Sequence, residues 1–276
     1  ISIIKGLIMD TVRHANSGHT GGPMSSSDFA YILFKEFLQF DPNDPNWFNR
    51  DRFILSAGHE SALQYVLLTM IGWLELDDLK KFRQLYSRTP GHPEIEIDGV
   101  ECTTGPLGQG FGMSAGMALA ESFLHHSLKK INKEASSLVD HFTYVIVSDG
   151  DMQEPITLGS ASLSGHLGLS KLIVFYDSND VQISGGVGRS DSTDYENVFK
   201  GFGWYVQKIN GHDHDSIRSA IKKAQNSNCP SLIIGETVMA KGSAGMEGDF
   251  NTHGSPLPQD EIDATKSKLG LKPDSF

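Results

Sequence analysis

FTYVIVSDGDMQ, residues Phe142–Gln153, is an apolar run of strand length that stops on Ser148-Asp149-Gly150-Asp151 and leads into a helix near Gln153. LIVFYDSNDV, residues Leu172–Val181, repeats the form and ends in Asp177-Ser178-Asn179-Asp180. Two such strands, adjacent and parallel, place Asp149 and Asn179 at one edge of a sheet, where open α/β sheets bind ligands. A carboxylate, an amide carbonyl and a main-chain carbonyl make half a shell for Mg2+ or Ca2+, which take oxygen donors. Two phosphate oxygens and a water complete that shell. Gly150 admits a phosphate close to the backbone, and the helix start offers N–H groups. Taken alone, Asp-Gly is equally a common turn dipeptide, with Asp149 and Asn179 capping a helix and a turn.

Other short apolar runs, Phe53–Leu55, Trp204–Ile209 and Leu232–Ile234, read as further buried strands. Helical spacing fills the intervals: Ile4, Leu7, Ile8 and Val12 with Gly18 as a stop, then Phe29–Leu38, Ala62–Leu74, Phe111 to Ile131, and Asp215–Ala224. Gly112, Ala115, Gly116 and Ala118 predict that the long helix packs closely beneath a sheet. The alternation predicts an α/β fold, a mostly parallel sheet with helices on both faces. Three glycine-rich loops, Ser87–Gly110, Ser178–Ser192 and Ala240–Pro258, are long enough to be read as functional.

The 276 residues, 38% of them hydrophobic, suffice for one large domain or two small ones. No apolar run reaches the length of a membrane span, so a soluble protein without a membrane partner is expected. The opening ISIIKGLIMDTVRH carries Lys5 and Asp10 and lacks a cleavage site, which argues against a signal peptide. The chain begins without Met, so its true start is expected to be missing or trimmed. Cys102 and Cys229 lie far apart without metal-ligand spacing, which fits the reducing cytoplasm. A net charge of −11 argues against general binding of nucleic acid. An acidic protein that binds a diphosphate must gather positive charge locally, from a metal ion, helix N-termini and backbone N–H groups.

Four histidines adjoin glycines in loops: His19 in ANSGH, His59 in LSAGH, His92 in PGHPE and His253 in HGSPL. Singly, a loop histidine is more often a surface or turn residue than a catalytic one. An imidazole near neutral pH can donate, accept or shuttle a proton. TTGPLGQG, Thr103–Gly110, opens the long helix and reads by itself as a rigid turn before a helix start. Lys241 can reach a diphosphate or stay a solvated loop lysine. His166 is expected to end a helix and His212 and His214 to lie in an Asp-rich turn. His14, His125, His126 and His141 have no motif around them.

Together these stretches resemble the transketolase family. SDGDMQEPITLGSASLSGHLGLSKLIVFYDSNDVQISG, Ser148–Gly185, is similar to the family's thiamine diphosphate motif, and the four histidine segments and GPLGQG to its other motifs. The resemblance implies a thiamine diphosphate-binding fold over residues 1–276 as a single diphosphate-binding domain. It implies that Asp149, Asn179 and the carbonyl of Val181 bind Mg2+ (or Ca2+), and that Gly150 meets the diphosphate. His19, His92 and His253 are then assigned to the substrate channel and catalysis, and His59 and His253 to the diphosphate and thiazolium. Gly105 approaches the aminopyrimidine, and Leu107 covers the thiazolium and excludes water. Glu154 matches a family glutamate near the subunit interface. Ser148, Pro155 and Thr20 depart from the family, which has glycine, glycine and proline there; Pro155 falls in a first helical turn, where proline is tolerated.

Thiamine chemistry also needs a carboxylate on the pyrimidine ring, and nothing in this sequence matches it. In the family it comes from a pyrimidine-binding domain, later in the chain or on another polypeptide. The resemblance therefore implies a transferase of two-carbon ketol units from ketose phosphates to aldose phosphates, in the pentose phosphate pathway. It would need a pyrimidine-binding and C-terminal portion as partner, in a dimer or heterotetramer. The alternatives are a related ketol enzyme, of dihydroxyacetone synthase or deoxyxylulose phosphate synthase type, and a non-catalytic scaffold that kept the fold.

Overall fold

In the computed structural model, which describes residues 1–183, 185–273 and 276, each apolar run becomes a strand. Ser184, inside one of the glycine-rich loops, lies outside the described residues. The strands β1 (Arg52–Leu55), β2 (Thr143–Ser148), β3 (Leu172–Ser178), β6 (Tyr205–Asn210) and β7 (Ser231–Glu236) form one sheet in the order β1-β2-β3-β7-β6. Every pairing in it is parallel. Two-residue strands β4 (Val181–Gln182) and β5 (Gly185–Gly186) make a small antiparallel ladder beyond β3.

Strand side chains alternate between two apolar layers, as the pleat requires. Tyr144, Ile146, Ile173, Phe175 and Ile233 face a layer built on α1 (Ser2–Ala15), α2 (Gly21–Ile32), α3 (Ser61–Met70), α9 (His214–Gln225) and α10 (Gln259–Lys268). Val145, Val147, Val174, Tyr176, Leu232 and Ile234 face the other, built on α5 (Gln109–Ile131), α7 (Pro155–His166) and α8 (Tyr195–Gly201). Short helices α4 (Leu76–Leu79) and α6 (Asp149–Gln153) complete the set. The expected α/β sheet with helices on both faces is what forms.

The differences from expectation sit at helix ends. The helix expected over Phe29–Leu38 begins at Gly21, and its tail widens into a π turn, Leu33–Phe37. Residues Gly21 to Ala30 are all buried, so no polar face marks the helix's period in the sequence. The helix expected over Ala62–Leu74 stops at Met70, and Gly72 follows with φ 87°. At the first helix the left-handed stop is Asn16 rather than Gly18. The single helix expected near Gln153 is two, broken at an extended Glu154 with Pro155 at the first position of the next. His166 ends that helix, as expected.

Candidate active site

The carboxyl ends of the strands open into a pocket of about 460 Å3. Nearly every residue proposed from sequence lines it: His19, His59, His92, His253, Gly105, Leu107, Gly150, Asn179 and Val181. The residues come from segments spread over most of the chain, so the fold alone brings them together. Asp149 lies just behind the wall, between the lining residues Ser148 and Gly150. Lys241 ion-pairs with Glu247 at 3.2 Å and is not among the lining residues.

Three imidazoles form one cluster. Ring centroids are 4.9 Å apart for His19 and His59, 5.4 Å for His19 and His253, and 5.3 Å for His59 and His253. His92 also lines the pocket, against Gly105, where an added Cβ would come 3.3 Å from its ring. Burial holds all four pKa values below the usual imidazole range; His19 is pushed down to about 4 by burial, His253, Arg83 and His92. Near neutral pH they are therefore uncharged, each with one donor and one acceptor nitrogen. His19 Nδ1 and His253 Nδ1 are buried without a partner.

Close loop packing explains the glycines. A Cβ on Gly58 would lie 2.7 Å from the Gly105 nitrogen, so glycine there lets the His59 turn touch the GPLGQG loop. Gly105 itself has φ 147°, a region L side chains avoid. A Cβ on Gly150 would meet Leu107 Cδ1 at 2.7 Å, so the apolar cover rests directly on the turn that holds Asp149.

At the carboxyl ends of β2 and β3, Ser148 pairs with Asp177. Asp149 is thus one residue, and Asn179 two residues, beyond a paired register. Asp149 is 4% exposed; Oδ1 accepts from the Tyr176 hydroxyl, and Oδ2 has no partner among the described residues. Burial pushes its carboxyl up to about 7, against the Tyr176 bond and with Asp177 and Asp180 adding repulsion. Asn179 commits its Nδ2 to Asp177 at 2.8 Å, while Oδ1 accepts from the Val181 nitrogen at 3.1 Å and keeps a free lone pair. A buried carboxylate oxygen without a donor, beside an amide oxygen, fits a hard divalent cation.

Sequence reading passed over the groups that hold this arrangement. Asp151 is fully buried and accepts from Ser56 Oγ at 2.6 Å, the Gly108 nitrogen at 2.7 Å and the Ser148 nitrogen at 2.9 Å. It ties the end of β1, the GPLGQG loop and the end of β2 into one knot. Ser148, the departure from the family's glycine, closes a capping box with it. Asp177 joins Ser25 Oγ, the Thr237 hydroxyl and Asn179. Histidines 212 and 214, expected in a turn, both grip the buried Asp28 at 3.0 Å, with Lys5 at 3.3 Å. His212 does lie in that turn and His214 opens α9, and nothing in the sequence around them names Asp28 as their partner.

A second carboxylate group lies at the opposite end of the same strands. Glu121, His125 and Asp140 are close enough to share a cation. Lys171, just before β3, already serves both carboxylates, at 2.9 Å to Glu121. It is a separate place from the pocket.

Residues 1–276, the whole chain, match the family model described as "Transketolase, thiamine diphosphate binding domain". The chain belongs to the transketolase family. It is 49% identical to the transketolase of Staphylococcus epidermidis strain RP62A over 276 residues, 99% of this chain and 41% of that protein. It is 50% identical to the Buchnera aphidicola transketolase over 271 residues, 97% of this chain and 40% of that one. The solved transketolase from Leishmania mexicana matches with a TM-score of 0.95 at 40% identity, covering 99% of this chain and 41% of that chain. That from Campylobacter jejuni gives 0.92 at 42% identity, covering 99% and 42%. The chain thus spans about two fifths of its transketolase relatives, their N-terminal portion.

Proposed function

We propose that this chain forms the diphosphate- and metal-binding half of a transketolase site, and that turnover needs a pyrimidine-binding portion of protein beyond these residues. The observation that carries the reading is the convergence on one pocket of four neutral histidines and an uncompensated carboxylate oxygen on Asp149. In this reading Asp149, Asn179 and the Val181 carbonyl hold Mg2+ (or Ca2+), Gly150 lies against the diphosphate, and Gly105 and Leu107 cover the ring end. Thiamine diphosphate, when bound, supplies the nucleophilic carbon and the electron sink.

The chain's own residues then bind, orient and exclude water. The carboxylate of Asp149 and the oxygen of Asn179 fix the cation that neutralises the diphosphate in a protein of net charge −11. Leu107, seated on Gly150, keeps water from the ring end. His19, His92 and His253, uncharged, hydrogen-bond sugar hydroxyls and pass protons to and from them; His59 and His253 serve the cofactor side. A transketolase from Pichia stipitis solved in complex with sedoheptulose-7-phosphate matches this chain with a TM-score of 0.94 at 40% identity. By that likeness the donor class is a ketose phosphate and the acceptor an aldose phosphate, as in pentose phosphate interconversion. The assembly would be a dimer or heterotetramer in the cytoplasm, a setting in keeping with two free cysteines.

The test is ketol transfer by the purified 276-residue chain, with and without the remaining portion of a transketolase. No transfer alone and Mg2+-dependent transfer on mixing is the expected result. Robust transfer by the chain alone would overturn the half-site reading.

A further inference from the structure

Arg83 occupies a place that the reading above leaves without a role. Its backbone is left-handed, φ 61°, although it is not glycine. For a long side chain that conformation costs about 1–2 kcal/mol and persists only where surroundings enforce it. The turn closes when the Arg83 nitrogen donates to the Thr89 carbonyl at 2.8 Å. This geometry sends the guanidinium between two loops that each end in a pocket histidine.

On one side, Nη1 donates to Ser17 Oγ at 2.9 Å, and a Cβ added to Gly18 would lie 3.6 Å from Nε. On the other, a Cβ added to Gly91 would lie 3.2 Å from Nε and 3.5 Å from Cζ. Gly18 precedes His19 and Gly91 precedes His92, so the guanidinium plane is the spacer between the two Gly-His pairs. Nε is buried without a partner among the described residues, so shape as well as hydrogen bonding keeps the group there. Phe82 packs under Gly18, with its ring 5.6 Å from the Arg83 guanidinium carbon and 6.1 Å from the Tyr65 ring. Tyr65 in turn donates to the His92 carbonyl at 3.0 Å.

We propose that Arg83 is a positioning residue that sets the separation of His19 and His92 in the pocket. The proposal rests on the reading of this pocket as the sugar-binding site. Two imidazoles on opposite loops can serve one sugar chain only if their spacing matches its hydroxyls. A planar, permanently charged group suits the slot; a lysine carries the charge without the plate. The charged and titratable groups facing His19 are His59, His253, His92 and Arg83, and Arg83 is the charged group on His92. Arg83 thus bears the one fixed positive charge among them, and it opposes protonation of both rings.

Two variants separate plate from charge. Arg83→Asn tolerates the left-handed turn and removes both; Arg83→Lys keeps the charge alone. Histidine titration by NMR on nitrogen-labelled protein without substrate gives one readout. KM and kcat for the ketose phosphate, with the pyrimidine-binding portion present, give the second, and calorimetric affinity for Mg2+ and thiamine diphosphate is the control. In Arg83→Asn the His19 and His92 midpoints rise, and KM rises about tenfold or more with cofactor affinity kept. In Arg83→Lys the midpoints stay low while KM still rises. Unchanged histidine resonances and midpoints in both folded variants, or an unchanged KM, overturn the proposal. If the wild-type assembly shows no transfer, the functional reading fails, and the titrations still decide the role of Arg83.

Discussion

β2 and β3 carry a group of carboxylates at each end, and the two groups are resolved in opposite ways. At the amino ends, Glu121 is 4% exposed and Asp140 is open to solvent, and the Lys171 ammonium bridges both. His125 Nδ1 is held by the Val139 carbonyl at 2.8 Å. The chain there supplies its own counter-charge. At the carboxyl ends Asp149 is equally buried, yet one of its oxygens finds no hydrogen-bond partner among the described residues, and its neighbours Asp177 and Asp180 are themselves acidic. A cluster of ligand-type residues is therefore a weak pointer to a metal. The stronger one is a buried charge that the fold leaves uncompensated, because a buried carboxylate without a partner costs several kcal/mol.

The sharpest way to break this contrast is to remove the uncompensated group. Asp149→Ala is expected to weaken metal-dependent retention of thiamine diphosphate by about three orders of magnitude, or about 4 kcal/mol, with the pyrimidine-binding portion present. The same change removes a buried carboxylate with one oxygen left unpaired, so the metal-free protein melts no lower than the wild type. Calorimetry showing undiminished affinity would refute the ligand assignment. Asp151, two residues on, provides the internal control, since its charge is met by donors from three segments. Asp151→Ala strands those donors and costs about 3 kcal/mol of stability, read as a lower urea midpoint even without metal. An unchanged midpoint would mean that the loops are held by packing alone.

That Asp149 and Asp151 differ so much shows what a sequence can carry. The strands were legible because buried parallel strands are continuous apolar runs, and the placing of Asp149 and Asn179 at one sheet edge because the two strand ends share one pattern. The four Gly-His segments were legible only as motifs; nothing local says that His19, His59 and His253 meet. Partners were not legible at all. Ser56 and Asp151 are neighbours only after β1 and β2 pair in register. His212 and His214 looked like turn residues because their partner, Asp28, lies on α2, far back in the chain. The start of α2 was missed for a related reason: a helix buried on every side has no amphipathic period.

At the compensated end the prediction reverses. Lys171→Met leaves Glu121 buried without its cation and is expected to cost about 1–3 kcal/mol, with affinity for thiamine diphosphate unchanged. A fall in cofactor affinity would mean that the two ends of the sheet are coupled. The histidine cluster extends the comparison to pH. In the unfolded chain the imidazoles take up protons near their ordinary pKa of 6.5, whereas folded His19, held down by burial, does so only near 4. Between these values the unfolded state binds more protons, so stability falls as pH drops from 6.5 towards 4, by about 2–3 kcal/mol. Urea midpoints measured across that window check it, and His19→Asn should flatten the slope. A midpoint that rises on acidification would contradict neutral, buried imidazoles.

The smallest effect tests how tightly the cover and the metal turn are joined. Gly150 does not have a left-handed backbone, so Gly150→Ala carries no conformational penalty of that kind. Its new methyl would meet Leu107 Cδ1 at 2.7 Å, the end of a flexible side chain that can move aside. Stability should therefore change by less than about 1 kcal/mol. Cofactor affinity should fall by about threefold to tenfold, since the displaced leucine intrudes on the pocket. Leu107→Ala alone removes cover and also weakens binding. If the clash is the cause, the double variant binds better than the sum of the two losses predicts, because the methyl then enters space the leucine has left. Strict additivity in that cycle would place the effect of Gly150 in its backbone approach to the diphosphate instead, and would uncouple the cover from the turn that carries Asp149.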